Sequence, residues 1–277
     1  SNYNVAVGYS AGTSVTTGVR NTLIGGKTGD EVTTGEGNVA VGYESLGETT
    51  IGDDNVAIGN FALYTNVDGS RNVAIGRSAL LAMEPSTESN TYNTAVGYTA
   101  GTAVTTGIRN TLIGGLAGDN LTDADFNVAI SYHALGTDTK GNRAVAIGYS
   151  ALNTQNFTTS TDNYNVAVGY AAGNAVTTGF QNTLIGGLAG DALTDADYNV
   201  AMGASALTSD TLGSKSTAIG SGALAAQNFT TATDTYNTAV GFYAGIGITT
   251  GRSNTLIGGL AGDALTDADY NVAIGTD

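Results

Sequence analysis

A five-residue pattern, Asn-[Val/Thr]-[Ala/Leu]-[Ile/Val]-Gly, recurs along the chain and constrains its fold more than any other feature. With a few substitutions it begins 16 times, and successive starts lie 17 residues apart, except at three places where they lie 21 apart. A short fixed period is typical of solenoids, in which each repeat forms one turn and contacts only its neighbours. The sequence therefore predicts an all-β solenoid of about 16 coils, forming one continuous domain over residues 1–277.

Each copy has the composition of a short strand, because Val, Ile and Thr are enriched and Gly closes it. Alternation places the second and fourth residues on one face and the third residue on the other. The third residue is nearly always Ala or Leu, so we expect that face to be covered by another chain. The outward-facing leucines would then be Leu23, Leu112, Leu184 and Leu256. On this assignment, Leu184→Asp should break the oligomer by burying like charges.

The first and last residues of the pattern have predictable structural roles. Stacked Asn side chains can form a hydrogen-bonded ladder along a solenoid and tolerate turn geometry. Gly at the fifth position indicates a bend with positive φ or a close backbone approach, and Ser131 replaces it once, near the only histidine, His133. Each coil also carries a second apolar residue, 8 or 11 positions after its start, which should close the core. These anchors are Leu46, Leu63, Leu80, Leu135, Leu152, Leu207 and Leu224 in one set, and Val15, Val32, Val104, Leu121, Val176, Leu193, Ile248 and Leu265 in the other.

Three coils carry four extra residues, within 83–92, 154–164 and 226–236. The last two insertions are Thr-rich near copies, so we expect them to bulge from the solenoid and offer repeated contacts to a partner. The candidate receptor-binding residues are Asn156, Phe157, Thr158, Asn228, Phe229 and Thr230. In the alternative reading, Phe157 and Phe229 turn inward as extra anchors and the loops are passive.

Charge and composition exclude several classes of partner. The formal net charge is −15 and the nine Lys and Arg residues are scattered, so neither nucleic-acid binding nor membrane insertion is expected. Cysteine is absent, and no apolar run is long enough to span a membrane. The chain starts without Met and stops inside a copy, which suggests a fragment of a longer fibre chain.

The repeated Asn-x-Ala-[Ile/Val]-Gly-x-x-Ala pattern resembles the head repeats of trimeric autotransporter adhesins, the YadA-like family. It is also similar to the repeat regions of phage tail fibres, and the longer coils of 17 and 21 residues fit that version better. The resemblance covers all 16 copies. It implies a left-handed, single-stack parallel β-roll in which three chains form a homotrimeric rod, with the four leucines named above near the axis.

Acidic and aromatic residues also recur at fixed positions. A Gly-Asp-x-Leu-Thr-Asp-Ala-Asp segment occurs three times and offers oxygen ligands for Ca²⁺, although turn and strand-entry residues on a solvated edge are the simpler explanation. Its acidic residues are Asp119, Asp123, Asp125, Asp191, Asp195, Asp197, Asp263, Asp267 and Asp269. Aromatic residues stand after the Gly and before the Asn of many coils, where they could stack against sugars or cover the shoulder of the solenoid.

These features favour a non-enzymatic function. A lone histidine without cysteine excludes most pairs of nucleophile and base, and no cofactor is expected. We expect a structural or adhesive segment of a trimeric extracellular fibre, a rigid rod of roughly 75 Å that displays or carries elements for cell-surface attachment. It would belong to a virion tail fibre or a bacterial surface and would contact a glycan or protein receptor. The alternatives are a carbohydrate-binding module that uses the tyrosine columns or long loops, and an ice-binding or calcium-binding solenoid.

Overall fold

The chain folds as a parallel β-solenoid of about 16 coils, as the repeat predicts. The structure is a computed structural model that describes residues 2–85 and 87–276; Ser1, Asp277 and Ser86, which belongs to the first insertion, lie outside the described residues. The described residues contain no helix, and hence none that could cross a membrane. The chain divides into two compact units, residues 1–142 with 158–160 and residues 143–157 with 161–277.

The first unit contains eight three-residue strands and three two-residue strands. In chain order they are β1 (Val5–Val7), β2 (Thr22–Ile24), β3 (Val39–Val41), β4 (Val56–Ile58), β5 (Gly69–Ser70), β6 (Val73–Ile75), β7 (Ser89–Asn90), β8 (Thr94–Val96), β9 (Thr111–Ile113), β10 (Val128–Ile130) and β11 (Gly141–Asn142). The three-residue strands pair in parallel, each with the equivalent strand of the next coil, so that Ala6 lies beside Leu23. A small second sheet pairs β5 with β7.

The second unit repeats this arrangement. Its strands are β12 (Val145–Ile147), β13 (Thr161–Asp162), β14 (Val166–Val168), β15 (Thr183–Ile185), β16 (Val200–Met202), β17 (Gly213–Ser214), β18 (Thr217–Ile219), β19 (Thr233–Asp234), β20 (Thr238–Val240), β21 (Thr255–Ile257) and β22 (Val272–Ile274). The three-residue strands again form a parallel ladder with each residue opposite its equivalent, as in Leu184 beside Ala201. The β17 and β19 strands form the second, shorter sheet.

Glycine at the fifth position is required by geometry, as predicted. Gly186 has a φ of 136°, and a Cβ atom added there would lie 2.5 Å from the carbonyl oxygen of Gly203 in the next coil. Such a distance is well inside van der Waals contact, so the coils can stack this closely only without a side chain. Ser131 is the one described residue that occupies this column with a side chain, at a φ of 109°.

The core is built from the predicted anchors. Leu46, Leu63, Leu80, Leu135, Leu152, Leu207 and Leu224 are fully buried, and so are Val32, Val104, Leu121, Val176, Leu193 and Ile248. Val15 and Leu265 are half-buried because each lies in a terminal coil of its unit. Each coil therefore closes on small apolar residues from the strand on one side and on its second anchor on the other.

The Asn residues form the predicted ladder inside the solenoid. The Oδ1 atom of Asn21 accepts a hydrogen bond of 2.9 Å from the backbone N–H of Asn38, and its Nδ2 atom donates one of 2.8 Å to the carbonyl oxygen of Gly35. The same two contacts recur along both units, and Asn21, Asn38 and Asn55 are fully buried. Each side chain thus ties one coil to the next and also closes its own coil.

Candidate interaction surface

The structure reverses the predicted orientation of the strands. Third-position residues point into the core of their own chain, and Leu184 has no exposed surface even though a single chain is present. The expectation that Leu23, Leu112, Leu184 and Leu256 face neighbouring chains is therefore wrong. Both faces of each strand are apolar, so alternation alone could not tell which face was inside. Leu184→Asp would accordingly place a charge in the core of the single chain, where it has no counterion.

The second and fourth residues of the five-residue pattern, which are the first and last residues of each strand, point outward instead. In β9, Thr111 is half-buried and Ile113 is exposed, while Leu112 between them is buried. We call the residues one and three positions after each Asn the strand face. Its exposed members are Val5, Val7, Ile24, Ile58, Ile75, Ile113, Met202, Ile219, Ile257, Val272 and Ile274.

The large exposed apolar side chains lie on the strands or directly beside them in the sequence. Every other large hydrophobic residue that is exposed in the described chain stands directly before the Asn or in the two positions after the Gly. These residues are Tyr3, Tyr92, Phe126, Tyr164, Tyr198, Tyr236 and Tyr270 before the Asn, and Tyr9, Tyr43, Tyr98, Tyr132, Tyr149, Tyr170, Leu188, Phe242 and Tyr243 after the Gly. A soluble monomer seldom exposes apolar residues at so many equivalent positions, so the strand face is the strongest candidate for an interface.

The residue before the Asn, which we call the corner column, also carries cations. The Arg109 Cζ atom lies 6.0 Å from the ring centroid of Tyr92 and 5.3 Å from that of Phe126. Arg71 lies over Tyr92 as well, and its Nη1 atom donates a hydrogen bond of 2.9 Å to the tyrosine hydroxyl. In the second unit, Lys215 lies over the ring of Tyr236. Cations and aromatic rings thus stack on one another in successive coils.

The long coils contain a buried polar cluster rather than a simple bulge. The carboxylate of Asp210 is fully buried and accepts hydrogen bonds from the backbone N–H groups of Gly213 (3.1 Å) and Phe229 (2.9 Å). Its second oxygen accepts a hydrogen bond from Nε2 of Gln227, which also donates 2.8 Å to the hydroxyl of Ser216. The insertion thereby brings in the groups that satisfy a buried charge.

The proposed receptor-binding loops are only partly available to a partner. Phe157 and Phe229 are 7% and 6% exposed, so these two side chains belong to the core, and the prediction that they contact a receptor is wrong. The reading in which they turn inward as anchors is confirmed. Asn156, Thr158, Asn228 and Thr230 are exposed and remain candidates for contact.

The three acidic segments do not converge on a shared site. In the first, Asp123 forms an ion pair of 3.5 Å with Lys140, and Asp125 accepts a hydrogen bond of 2.8 Å from the backbone N–H of Ile108. Burial raises the pKa of Asp119, whose Oδ1 atom is buried and has no hydrogen-bond partner.

The second and third segments use their carboxylates in a similar way. Asp191 and Asp195 accept hydrogen bonds from the hydroxyls of Thr208 (2.6 Å) and Thr178 (2.7 Å). Asp197 and Asp269 accept hydrogen bonds from the backbone N–H groups of Phe180 and Arg252, which lie one coil earlier. Asp267 accepts a hydrogen bond from the hydroxyl of Thr266. The backbone N–H of Asp263 donates to the carbonyl of Leu260. Among the described residues, no three His, Cys, Asp or Glu side chains are grouped closely enough to hold a metal ion.

An open surface depression of about 690 Å³ lies in the second unit and is lined by Asp195, Asp197, Ser214, Thr233, Asp234 and Arg252, with Ala232. Burial raises the pKa of Asp197, whereas the hydrogen bond from Lys215 lowers the pKa of Asp234. The three carboxylates already accept hydrogen bonds from the backbone N–H of Phe180, the hydroxyl of Thr178 and the ammonium of Lys215, so each is held by a group of its own chain.

Comparison of the chain with protein-family models, with curated proteins and with solved structures finds no match in any of the three. The surface of the chain is therefore the only guide to its function. One part of that surface was missed by the sequence analysis, which recognised the aromatic residues before the Asn but regarded the basic residues as scattered. The signal was present, because Arg20, Arg71, Arg109, Arg143 and Lys215 all directly precede the first residue of a copy.

Proposed function

We propose that this chain is a structural segment of a homotrimeric extracellular fibre, in which the strand faces of three chains pack against one another. The observation that carries the proposal is the repeated exposure of apolar side chains on the strand face. A closed symmetric assembly would bury the strand face with equivalent contacts on every coil and would leave the corner column outside that contact. The left-handed coil and the number of three chains follow the resemblance to adhesin and tail-fibre repeats, whereas the 17- and 21-residue units follow the spacing of the copies in the sequence.

The strand face suits assembly because it is regular and made, apart from residues such as Met202, of β-branched side chains. Thr111 and Ile113 in β9 repeat in type as Thr183 and Ile185 in β15. Such side chains lose little rotamer freedom when they become buried, and parallel columns present the same shape on every coil. The polar turns outside the strands would stay in contact with water and keep the fibre soluble.

Measurement of the molar mass in solution tests the assembly. Sedimentation equilibrium should give three times the chain mass of 27.6 kDa. Ile58→Lys with Ile113→Lys should lower the mass to that of a monomer, because six charges would otherwise be buried near one another. Thr106→Lys is the matched control, since Thr106 is exposed and lies outside the strands. A monomeric wild-type chain, or an unchanged mass for the double variant, would contradict the proposal.

The fibre segment would carry attachment elements on its long coils. Asn228 and Thr230 are exposed on either side of the buried Phe229, so they can be changed without disturbing the core. Asn228→Ala with Thr230→Ala should weaken attachment of the assembled fibre to its target cell if these loops make contact. Unchanged attachment, with the molar mass intact, would limit this segment to a spacer.

A further inference from the structure

The corner column has a composition that the fold does not require. Its 16 positions hold five of the nine basic residues of the chain and seven aromatic residues. In chain order the column reads Tyr3, Arg20, Gly37, Asp54, Arg71, Tyr92, Arg109, Phe126, Arg143, Tyr164, Gln181, Tyr198, Lys215, Tyr236, Ser253 and Tyr270. The rest of this acidic chain is poor in cations, so basic residues are concentrated where aromatic rings are also concentrated.

The backbone at the corner disfavours these large residues. Every member of the column has a positive φ, for example 53° at Tyr92 and 56° at Arg109. Gly, Asn and Asp adopt this left-handed conformation most readily, whereas other residues cost roughly 1–2 kcal/mol each. Only Gly37 and Asp54 follow that preference. The same conformation recurs at buried anchors such as Leu46 and Leu80, so the backbone explains neither the aromatic nor the basic residues of the column.

The centre of the column lies in the first unit, at Arg71, Tyr92, Arg109 and Phe126. These residues occupy successive coils, and the Arg109 guanidinium stands between two aromatic rings at the distances given above. Stacking on both faces restricts the rotamers of the arginine and leaves the N–H donors at the edge of its plane directed away from the rings.

Arg109 differs from the neighbouring arginine in having no acidic partner. The Nε atom of Arg71 lies 3.7 Å from the carboxylate of Asp54, in addition to its hydrogen bond to Tyr92. Arg109 forms no ion pair or side-chain hydrogen bond with any residue that the structure describes. The carboxylate of Asp125, in the next coil, is engaged instead by the backbone N–H of Ile108. The guanidinium of Arg109 is therefore exposed, held between two aromatic rings, and bound by no side chain that would compete with a ligand among the described residues.

We infer that Arg109, with Tyr92 and Phe126, binds a carboxylate-bearing sugar of an acidic polysaccharide. The planar guanidinium can hold a carboxylate through two parallel hydrogen bonds. Tyr92 and Phe126 are both exposed, so the parts of their rings that Arg71 and Arg109 leave uncovered can contact the neighbouring sugars. A polymer of repeating sugars matches a column of repeating side chains, and several weak contacts along it would add through avidity.

This site does not depend on the proposed assembly. The side-chain partners of the corner cations lie one to three positions before the Asn of a neighbouring coil, as Asp54, Tyr92 and Asp234 do. None of these partners belongs to the strand face. The net negative charge of the chain does not prevent binding either, since charges more than about 10 Å away are screened at 0.1 M salt.

Binding of the full chain to alginate, a polymer of carboxylate-bearing sugars, tests the inference. Isothermal titration at 0.1 M salt should detect alginate fragments and give no signal with neutral dextran. Arg109→Asn should weaken alginate binding about tenfold or more, because a charge-assisted hydrogen bond is lost while Asn accepts the left-handed backbone. The alginate affinity of Arg109→Lys should lie between those of the wild type and of Arg109→Asn, because Lys keeps the charge but loses the planar donor pair.

Arg77→Asn is the matched control, because Arg77 is also exposed but lies outside the corner column. It removes the same charge and should change alginate affinity by about twofold at most.

An equal loss of affinity in both variants would reduce the effect to net charge and overturn the site. Absence of alginate binding to the wild-type chain would overturn it as well. Equal binding of polyglutamate would assign the column to acidic polypeptides and overturn the sugar assignment. Unchanged circular dichroism and molar mass would separate any of these outcomes from a failure to fold or assemble.

Discussion

The Oδ1 atom of Asn165 accepts a hydrogen bond of 2.9 Å from the backbone N–H of Asn182, which lies one coil further along the chain. Asn182 repeats the contact by accepting from Asn199 at 3.0 Å, and its Nδ2 atom donates 2.7 Å to the carbonyl of Ala196. All three Asn residues are fully buried. A single side chain therefore satisfies two buried backbone groups that the strands leave unpaired.

Asn182→Ala should destabilise the second unit, because it leaves the N–H of Asn199 and the carbonyl of Ala196 buried without partners. Each unsatisfied group costs about 1–3 kcal/mol. The effect should appear as a lower urea midpoint and as faster amide exchange at Asn199. Asn4→Ala serves as the control, since Asn4 lies in the first described coil and is only half-buried. Equal losses of stability in the two variants would show that the stability contributed by an Asn of the ladder does not depend on its burial.

Gly186→Ala and Gly187→Ala, which change adjacent residues, should have opposite consequences. A Cβ atom at Gly186 would meet the Gly203 carbonyl at 2.5 Å and would adopt a φ of 136°, so the coils must separate. At Gly187 a Cβ atom has no heavy atom within 4 Å, and its φ is not positive. We expect Gly186→Ala to lower the melting temperature markedly and Gly187→Ala to leave it unchanged or raise it slightly. A similar loss for both would contradict the proposed spacing constraint.

The coil period, the Asn ladder, the Gly column and the second anchors could all be predicted, because each depends on a residue type at a fixed position. The orientation of the strands could not, since Leu112 and Ile113 are both apolar and only the closed coil decides which one is inside. Phe229 presented the same difficulty, because its inward position depends on the Asp210 and Gln227 cluster beneath the loop. The available clue to the outer face was Thr at the second position of the pattern, as in Thr111, because a polar side chain is more often found facing outward.

Asp119→Asn should stabilise the first unit at neutral pH. Burial raises the pKa of Asp119, so the folded state binds a proton more tightly than the unfolded state does. Stability therefore falls as pH rises from the ordinary pKa of the carboxyl to the raised pKa of the folded state, and the penalty persists above it. Asn carries no charge, so the difference between variant and wild type should be largest at pH 7 and shrink in acid.

Asp191→Asn is the natural control for this change. Asp191 occupies the equivalent position, but its carboxylate accepts a hydrogen bond of 2.6 Å from Thr208, where the coil after Asp119 has Gly136. Loss of this charge-assisted bond should make Asp191→Asn neutral or destabilising at pH 7. Thermal unfolding of both variants between pH 4 and 7 provides the comparison. Stabilisation by Asp191→Asn equal to that by Asp119→Asn would show that the missing hydroxyl is not the cause.

Gln227→Met should destabilise the second unit, and a second change, Asp210→Asn, should recover part of the loss. Met at position 227 would leave one oxygen of the buried Asp210 carboxylate without its donor, at a cost of about 1–3 kcal/mol. The first unit already contains the alternative pair, since Asn66 and Met83 occupy the equivalent positions and are both fully buried. There the Met83 sulfur lies 3.5 Å from Nδ2 of Asn93, in the place of the Gln227 oxygen that accepts from Asn237. The neutral amide needs no charge-satisfying donor, so the double variant should be more stable than Gln227→Met alone. Recovery should be incomplete, because Oδ1 of Asn66 is itself buried without a partner.

A double-mutant cycle from urea midpoints measures the coupling, and strictly additive effects would show that Asp210 and Gln227 do not act as a pair.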